Sequence, residues 1–385
     1  MVVEISNEVI EYLEKNISLL TCDSAICLNL NIIADECYNH EHFLYAEYSV
    51  LEYLKNYPLL SDVSKKVYTY FFSKCYNLSS YIASTKISIC YYIGDTIKHC
   101  GDKFFIPITK KNNLKQSLLI CEDLSDCTFY ISLVKEILHE SKCNLSLSLH
   151  KLQCAGSQAL ETIDNEIEPG IIRPIACIMD SDKKQESDPT GSSANSALSA
   201  LSEHQDTYVI SVHVLHVRAK ENVIPPNLLS IHSQLNTPLV KKLSTGVENP
   251  KCYNLLKFIN LKNGIKDLRA SKEYTYHKYA FELLGICPPD ESDGSDPVNL
   301  NGIGSKGMDC FVKDVLNHQY DKEYTKLLKD EDISEDTKQK KKRQAEQSHE
   351  LLNNLPDYIK QQWDDIKQLI IDYGITIPPT FGFIS

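Results

Sequence analysis

Two stretches decide the fold: Ser117-Leu118-Leu119-Ile120-Cys121-Glu122-Asp123-Leu124-Ser125-Asp126 and Ile175-Ala176-Cys177-Ile178-Met179-Asp180-Ser181-Asp182. Each is an apolar run that ends in acidic residues. A run of about five such residues has the length of a buried strand. Beyond the first, Phe129, Tyr130, Leu133, Val134, Ile137 and Leu138 recur at helical spacing. Ser125 or Asp126 suits the cap of that helix. Residues 144–153 then alternate, Leu145, Leu147 and Leu149 against Ser146, Ser148 and His150, which is the period of a strand. The turn Ala155-Gly156-Ser157 opens a second helical stretch to about Glu168, and another apolar run, Tyr208 to Val212, follows later. Strands alternating with helices predict β-α-β units and a parallel sheet. Function in such sheets gathers beyond the carboxyl ends of the strands.

The acidic clusters fall at two such ends. Glu122 closes the first strand, with Asp123 and Asp126 nearby; Asp180 and Asp182 close another and are followed by Lys183 and Lys184. Hard divalent cations take oxygen ligands, commonly one or two carboxylates with water and substrate phosphate. Three convergent carboxylates can hold magnesium or manganese for phosphodiester cleavage, and a neighbouring lysine can stabilise charge developing on phosphate. Asp126 is open to two roles, helix cap or ligand. A third element, His216-Val217-Arg218-Ala219-Lys220-Glu221-Asn222, precedes Pro225-Pro226. It reads either as an exposed charged turn or as a part of the site. In the second case Glu221 is a further metal ligand, and Arg218 and Lys220 join Lys184 as phosphate contacts.

The stretch LICEDLSDCTFY, the helix and turn after it, and the strand IACIMDSDKK together resemble the TOPRIM domain, in particular its overcoming-lysogenisation-defect nuclease branch. The resemblance covers roughly residues 114–225. It implies a metal-dependent endonuclease in which Glu122, Asp180 and Asp182 act as catalytic and metal-binding residues, assisted by Lys183, with Mg2+ or Mn2+ as cofactor. It also implies a nucleic acid substrate, DNA or RNA (including transfer RNA), and a role as an antiviral defence or toxin effector controlled by a separate ATPase. Asp123 stands where many members have Gly, and no Gly follows closely after Asp182. A non-catalytic scaffold using a degenerate domain of this type, or another acidic-site phosphotransfer enzyme, are the competing readings.

The expected architecture is α/β: a helical N-terminal region (1–112), a TOPRIM-like parallel sheet flanked by helices (113–228), and a mostly helical C-terminal region (229–385). Residues 183–206, KKQESDPTGSSANSALSALSEHQD, read as a flexible Ser-rich insertion, and 288–308 as a loop. Val9, Ile10 and Leu13 recur at helical spacing, as do the residues of 357–373 behind Pro356. The 385 residues carry a net charge of -12, unlike a uniformly basic nucleic-acid binder, although a basic channel can sit on an acidic protein. The 14 cysteines form no CxxC or Cys/His finger spacing, so buried reduced thiols are expected. No Walker-type glycine loop is present, no HxxxH spacing, no signal peptide and no apolar run near the ~20 residues a bilayer demands. A cytoplasmic protein without membrane contact is expected.

Overall fold

Short apolar runs, buried on both sides, make the strands of two sheets. The computed structural model describes residues 1–82, 84–140, 146–231, 235–265, 268, 270–287, 300–304, 307–312, 326 and 334–377. The first sheet contains β1 (Val2–Ile5), β2 (Phe43–Ala46), β3 (Ser88–Tyr92), β4 (Lys98–Cys100) and β5 (Lys103–Pro107). Its order is β2-β1-β3-β5-β4, parallel except for the edge strand β4. Helices α1 (Glu8–Asn16), α2 (Ala25–Tyr38), α3 (Tyr48–Leu54) and α4 (Asp62–Ile82) connect these strands.

The N-terminal region is therefore α/β, which corrects the helical expectation for 1–112. Val2-Val3, Phe43-Leu44 and Ile89-Cys90-Tyr91 are all buried. A strand covered on both faces loses its alternation, so periodicity cannot separate it from a helical segment. The aromatic stretch from Phe43 to Leu54 in fact crosses from β2 into α3.

The second sheet is parallel and flanked by helices, as expected, although the strand expected over 144–153 lies partly outside the described residues and divides, with Ser146–Leu147 pairing antiparallel with Ile375–Thr376 instead of joining the sheet. Residues 113–214 supply β6 (Asn113–Leu114), β7 (Leu118–Cys121), α5 (Leu124–Glu140), β8 (Ser146–Leu147), β9 (His150–Gln153), α6 (Ala159–Glu166), β10 (Ile171–Ile172), β11 (Ile175–Met179), α7 (Ser192–His204) and β12 (Ile210–Val214). The four-stranded sheet β12-β11-β7-β9 is parallel throughout. Counted along the chain, the order across the sheet is second, first, third, fourth. The direction of winding reverses between β7 and β11, and the crevice at such a switch point is where ligands bind.

Residues 183–206 are not a flexible insertion over their length, because 192–204 form α7. Ala194, Ala197 and Ala200 recur at helical spacing and are fully buried. Such small side chains give a weak hydrophobic signal in sequence, yet they let α7 lie close on β11 and β12. Leu118 and Ile120 of β7 face the core under α7, while Leu119 and Cys121 face the opposite one.

The C-terminal region holds α8 (Pro226–Leu229), α9 (Pro238–Ser244), α10 (Tyr253–Phe258), β13 (Gly264–Ile265), α11 (Lys272–Leu283), β14 (Leu300–Asn301), α12 (Gly307–Phe311), α13 (Glu335–Asn353), α14 (Asp357–Gly374) and β15 (Ile375–Thr376). Most of the expected loop 288–308 lies outside the described residues. Pro356 takes the cap position before α14. Lys340, Lys342 and Arg343 are carried by α13 and are not among the residues that line the acidic cleft described below. Helix α14 packs on β11, β12 and α5, and joins both sheets into one core. Asp372 accepts the Lys86 amide at 2.7 Å, and the Met1 amino group donates to the Tyr373 and Ile375 carbonyls. Cys22, Cys100 and Cys287 are exposed, whereas Cys27, Cys37, Cys90, Cys121, Cys127, Cys154, Cys177 and Cys252 are buried free thiols, as expected for these eight. Among the described residues no helix is long and apolar enough to cross a membrane.

Trp363 anchors α14. Its ring is 4% exposed and its indole N–H donates to the Val223 carbonyl at 2.7 Å. Trp363→Ala should cost about 3–5 kcal/mol, the range for emptying a buried aromatic site. Denaturant unfolding checks this, and an unchanged midpoint would show that α14 lies outside the cooperative core.

Candidate functional site: an acidic cleft at the switch point

The chain leaves β7 at Glu122 and turns at once into α5. Asp123 caps that helix: its carboxylate accepts the Ser125 amide at 2.8 Å, while Asp126 reaches back to the Asp123 amide at 3.2 Å. This reciprocal cap satisfies two of the orphan donors of the first turn. The backbone hydrogen bond from Ser125 holds the Asp123 carboxyl below the usual range. Asp126 thus takes the capping role, but it also faces the site, where it is ion-paired with Lys220.

The chain leaves β11 through Asp180-Ser181-Asp182. Ser181 is fully buried and donates to the Val217 carbonyl at 2.6 Å; the Asp182 amide donates to the Arg218 carbonyl at 2.9 Å. These bonds extend the β11–β12 pairing past both strands and set Asp180 and Asp182 on the open side. Asp182 has φ 55°, a left-handed conformation that turns the chain away. Gly191 returns at this point, with its amide on the Ser181 carbonyl at 2.9 Å, and a Cβ there would overlap the Asp182 carboxylate.

After β12 a tight 3-10 turn, Lys220–Val223, brings in the third element. The Lys220 amide donates to Asp180 Oδ1 at 3.1 Å, and its ammonium contacts Ser125 as well as Asp126. Glu221 and Asn222 are each 2% exposed, so this is not an exposed charged turn. Asn222 donates to the Leu256 and Ile259 carbonyls, both at 3.0 Å.

Glu122, Asp126, Asp180, Asp182, Arg218, Lys220 and Glu221 all line one cleft of about 460 Å3, joined by Asn260, Lys262 and Asn263. Lys183 and Lys184 do not line it. Lys183 borders a different cavity and points at the Glu186 carbonyl, 3.4 Å away, while the Lys184 amide donates to Asp188. The left-handed turn at Asp182 carries both lysines off, so the assignments of Lys183 to catalysis and Lys184 to phosphate are not supported by their placement. Arg218 borders the cleft with its guanidinium on Glu273 at 2.9 Å. Lys262 and the asparagines were not singled out in the sequence, since an N-L-K-N stretch far along the chain carries no motif. Only the tertiary contact of Asn222 with residues 256–259 reveals them.

Burial pushes the Asp180 carboxyl well above the usual range, helped by Glu221, Asp126, Glu122 and Asp182 around it. Burial also raises Glu122 and Glu221. For Glu122, the Ser193 hydroxyl opposes the rise, and Asp182 and Asp126 add to it. Burial works against the Lys220 ammonium, but Asp126 outweighs it and the pKa is raised. Glu122 Oε1 is buried without a hydrogen-bond partner. A donor set made of carboxylate oxygens, one of them unsatisfied, fits a hard divalent cation. No three of these cleft carboxylates, however, place ligand atoms within 4.8 Å of one another among the described residues. Among the described residues, the ligand atoms that draw within 4.8 Å of one another are those of Asp164, Glu203 and His204, on the surface of α6 and α7.

The raised carboxyls fix the sign of a pH effect. A folded-state pKa above the unfolded value means the folded protein binds more protons, so stability falls as pH rises from the ordinary carboxylate range through the raised value. Asp180→Asn keeps an acceptor for Lys220 and removes the charge. It should raise the melting temperature at neutral pH and change it little near about pH 4, where unfolded aspartate is half protonated. Thermal melts at the two pH values decide; destabilisation at neutral pH would overturn the assignment of strain to Asp180. No family model, no curated protein and no solved structure matches this chain.

Proposed function

We propose that this chain is a metal-dependent nuclease that cleaves phosphodiester bonds in DNA or RNA at the cleft between β7 and β11. The observation that carries this reading is the convergence of Glu122, Asp180, Asp182 and Glu221, from three strand ends, on one polar cleft at the switch point. The TOPRIM resemblance rests on the succession of strand, Glu122, helix, Gly-containing turn, helix, strand and Asp180-Ser181-Asp182, and these elements occur here in that order, with β9 between the two helices. Glu122, Asp180 and Asp182, with Glu221 beside them, would hold magnesium or manganese, which when bound polarises a phosphoryl oxygen and makes water a better nucleophile.

The chain's own groups supply the rest. Glu122, whose carboxyl is raised by burial and whose Oε1 has no hydrogen-bond partner, is the group suited to exchange a proton with water or a leaving oxygen. Lys220 sits among Ser125, Asp126 and Asp180, where its cation offsets the clustered negative charge. Asp126 orients Lys220 while closing the cap of α5. A defence setting and control by a separate ATPase rest on the resemblance alone.

Incubation of plasmid DNA and total transfer RNA with magnesium or manganese tests the proposal. Wild type should cut at least one polymer. Glu122→Ala and Asp180→Ala/Asp182→Ala should each lose at least about 100-fold, the scale of single electrostatic contacts to a reacting centre. Cutting that survives in both variants would refute the acidic site. A fold that tolerates both changes and a wild type that never cuts, with or without its native partners, would favour a scaffold.

A further inference from the structure

Three cations border the acidic cleft among the described residues, and two are already engaged. Arg218 is bound to Glu273, and Lys220 to Asp126. Lys262 is exposed, and its side chain makes neither an ion pair nor a hydrogen bond with a described residue. It is nonetheless close enough to the site to work against the burial-driven rise at Glu122 and Glu221 and to add slightly to the lowering of Asp123.

The backbone carrying Lys262 is unusually well fixed for an exposed loop. Gly264 adopts φ 69°, and its amide closes the turn on the Asn260 carbonyl at 2.8 Å, while the Asn260 side chain accepts the Asn263 amide at 2.9 Å. A Cβ on Gly264 would overlap the Leu300 carbonyl and the Gly302 nitrogen; one on Gly302 would overlap Gly264 and Leu261. Glycine at both positions therefore lets two backbones touch. The Leu261 and Lys262 carbonyls accept the Ile303 and Gly304 amides, both at 2.9 Å. On the other side, Asn222 holds the Leu256 and Ile259 carbonyls, and the Arg218 amide holds the Lys257 carbonyl at 2.9 Å. Glu221 and the base of the Lys262 loop are thus joined through adjacent residues.

We infer that Lys262 is a substrate-binding residue, which meets a non-bridging phosphate oxygen of the nucleic acid strand entering the cleft. This rests on the nuclease reading of the cleft and adds to it a residue outside the stretch that resembles TOPRIM. The chemistry is that of a free ammonium on a rigid loop, opposite carboxylates that by themselves would repel a polyanion. A lysine serves as a point charge toward phosphate, and arginine preserves that charge. A cation present only to neutralise the carboxylates would instead act on their titration and leave nucleic-acid binding unchanged.

The test compares wild type, Lys262→Ala, Lys262→Arg and Lys342→Ala, the last removing an exposed lysine from α13. Binding of a labelled oligonucleotide is measured over a series of salt concentrations, together with kcat and KM for cleavage. Lys262→Ala should weaken binding on the order of 10-fold, flatten the dependence of log affinity on log salt by about one contact, and raise KM. Lys262→Arg should restore most of the affinity, and Lys342→Ala should match wild type. Equal loss in Lys342→Ala would reduce the effect to net charge and overturn the inference. So would a Lys262→Ala protein that cuts like wild type, or one whose only change is a shifted pH profile; the nuclease reading would stand in both cases. A wild type that neither binds nor cuts nucleic acid would remove the nuclease reading itself, and this inference with it.

Discussion

The constraint on which the central part of this molecule depends is the repulsion among carboxylates gathered at the carboxyl end of one sheet. Glu122, Asp126, Asp180 and Glu221 line the same cleft, and three of them are pushed above the ordinary carboxylate range, chiefly by burial. Left alone, such groups would protonate or drive the strand ends apart. The fold counters this with fixed positive partners: the Lys220 ammonium and amide, the Ser193 hydroxyl beside Glu122, and the first turn of α5 around Asp126. Helix N-termini favour negative charge, so the opening of α5 is a good place for Asp126.

Much of the surrounding structure keeps these partners in register. Ser181, between the two aspartates, is buried and tied to the segment after β12, so the strand end cannot fray. Gly191 brings α7 against Asp182, and α7 in turn brings Ser193 to Glu122. Behind the sheet, α14 packs on β11, β12 and α5 while its end grips the first sheet through Asp372 and the backbone around Tyr373. The two sheets consequently share a core among the described residues.

Four buried cysteines in and around the second sheet and on α5 illustrate the same economy of roles. Cys121, Cys127, Cys154 and Cys177 are all buried free thiols. Cys127 is aimed at the Leu119 and Leu152 carbonyls, and Cys154 at that of Cys121. Burial raises the Cys121, Cys154 and Cys177 thiols, leaving them protonated packing groups rather than ligands or nucleophiles.

The apolar runs before Glu122 and before Asp180 were enough to determine two parallel strands with acidic ends, because their composition and length suit buried strands, and the apolar spacing after Asp126 determined α5. The same logic failed for β1, β2 and β3: they too are short buried runs, but without an acidic terminus or a clear alternating partner they merged with adjacent helical patterns. Helix α7 was hidden because alanine signals burial only when a neighbour comes close enough to need it. Within the site, sequence order named Glu122, Asp180, Asp182, Lys220 and Glu221, all of which the fold gathers. Adjacency misled it for Lys183 and Lys184, because one left-handed residue, Asp182, redirects the chain. The place of Lys262 was decided only by tertiary structure: hydrogen bonds from Asn222 and the contact of Gly264 with Gly302 join segments far apart in sequence, and no local pattern encodes such a meeting.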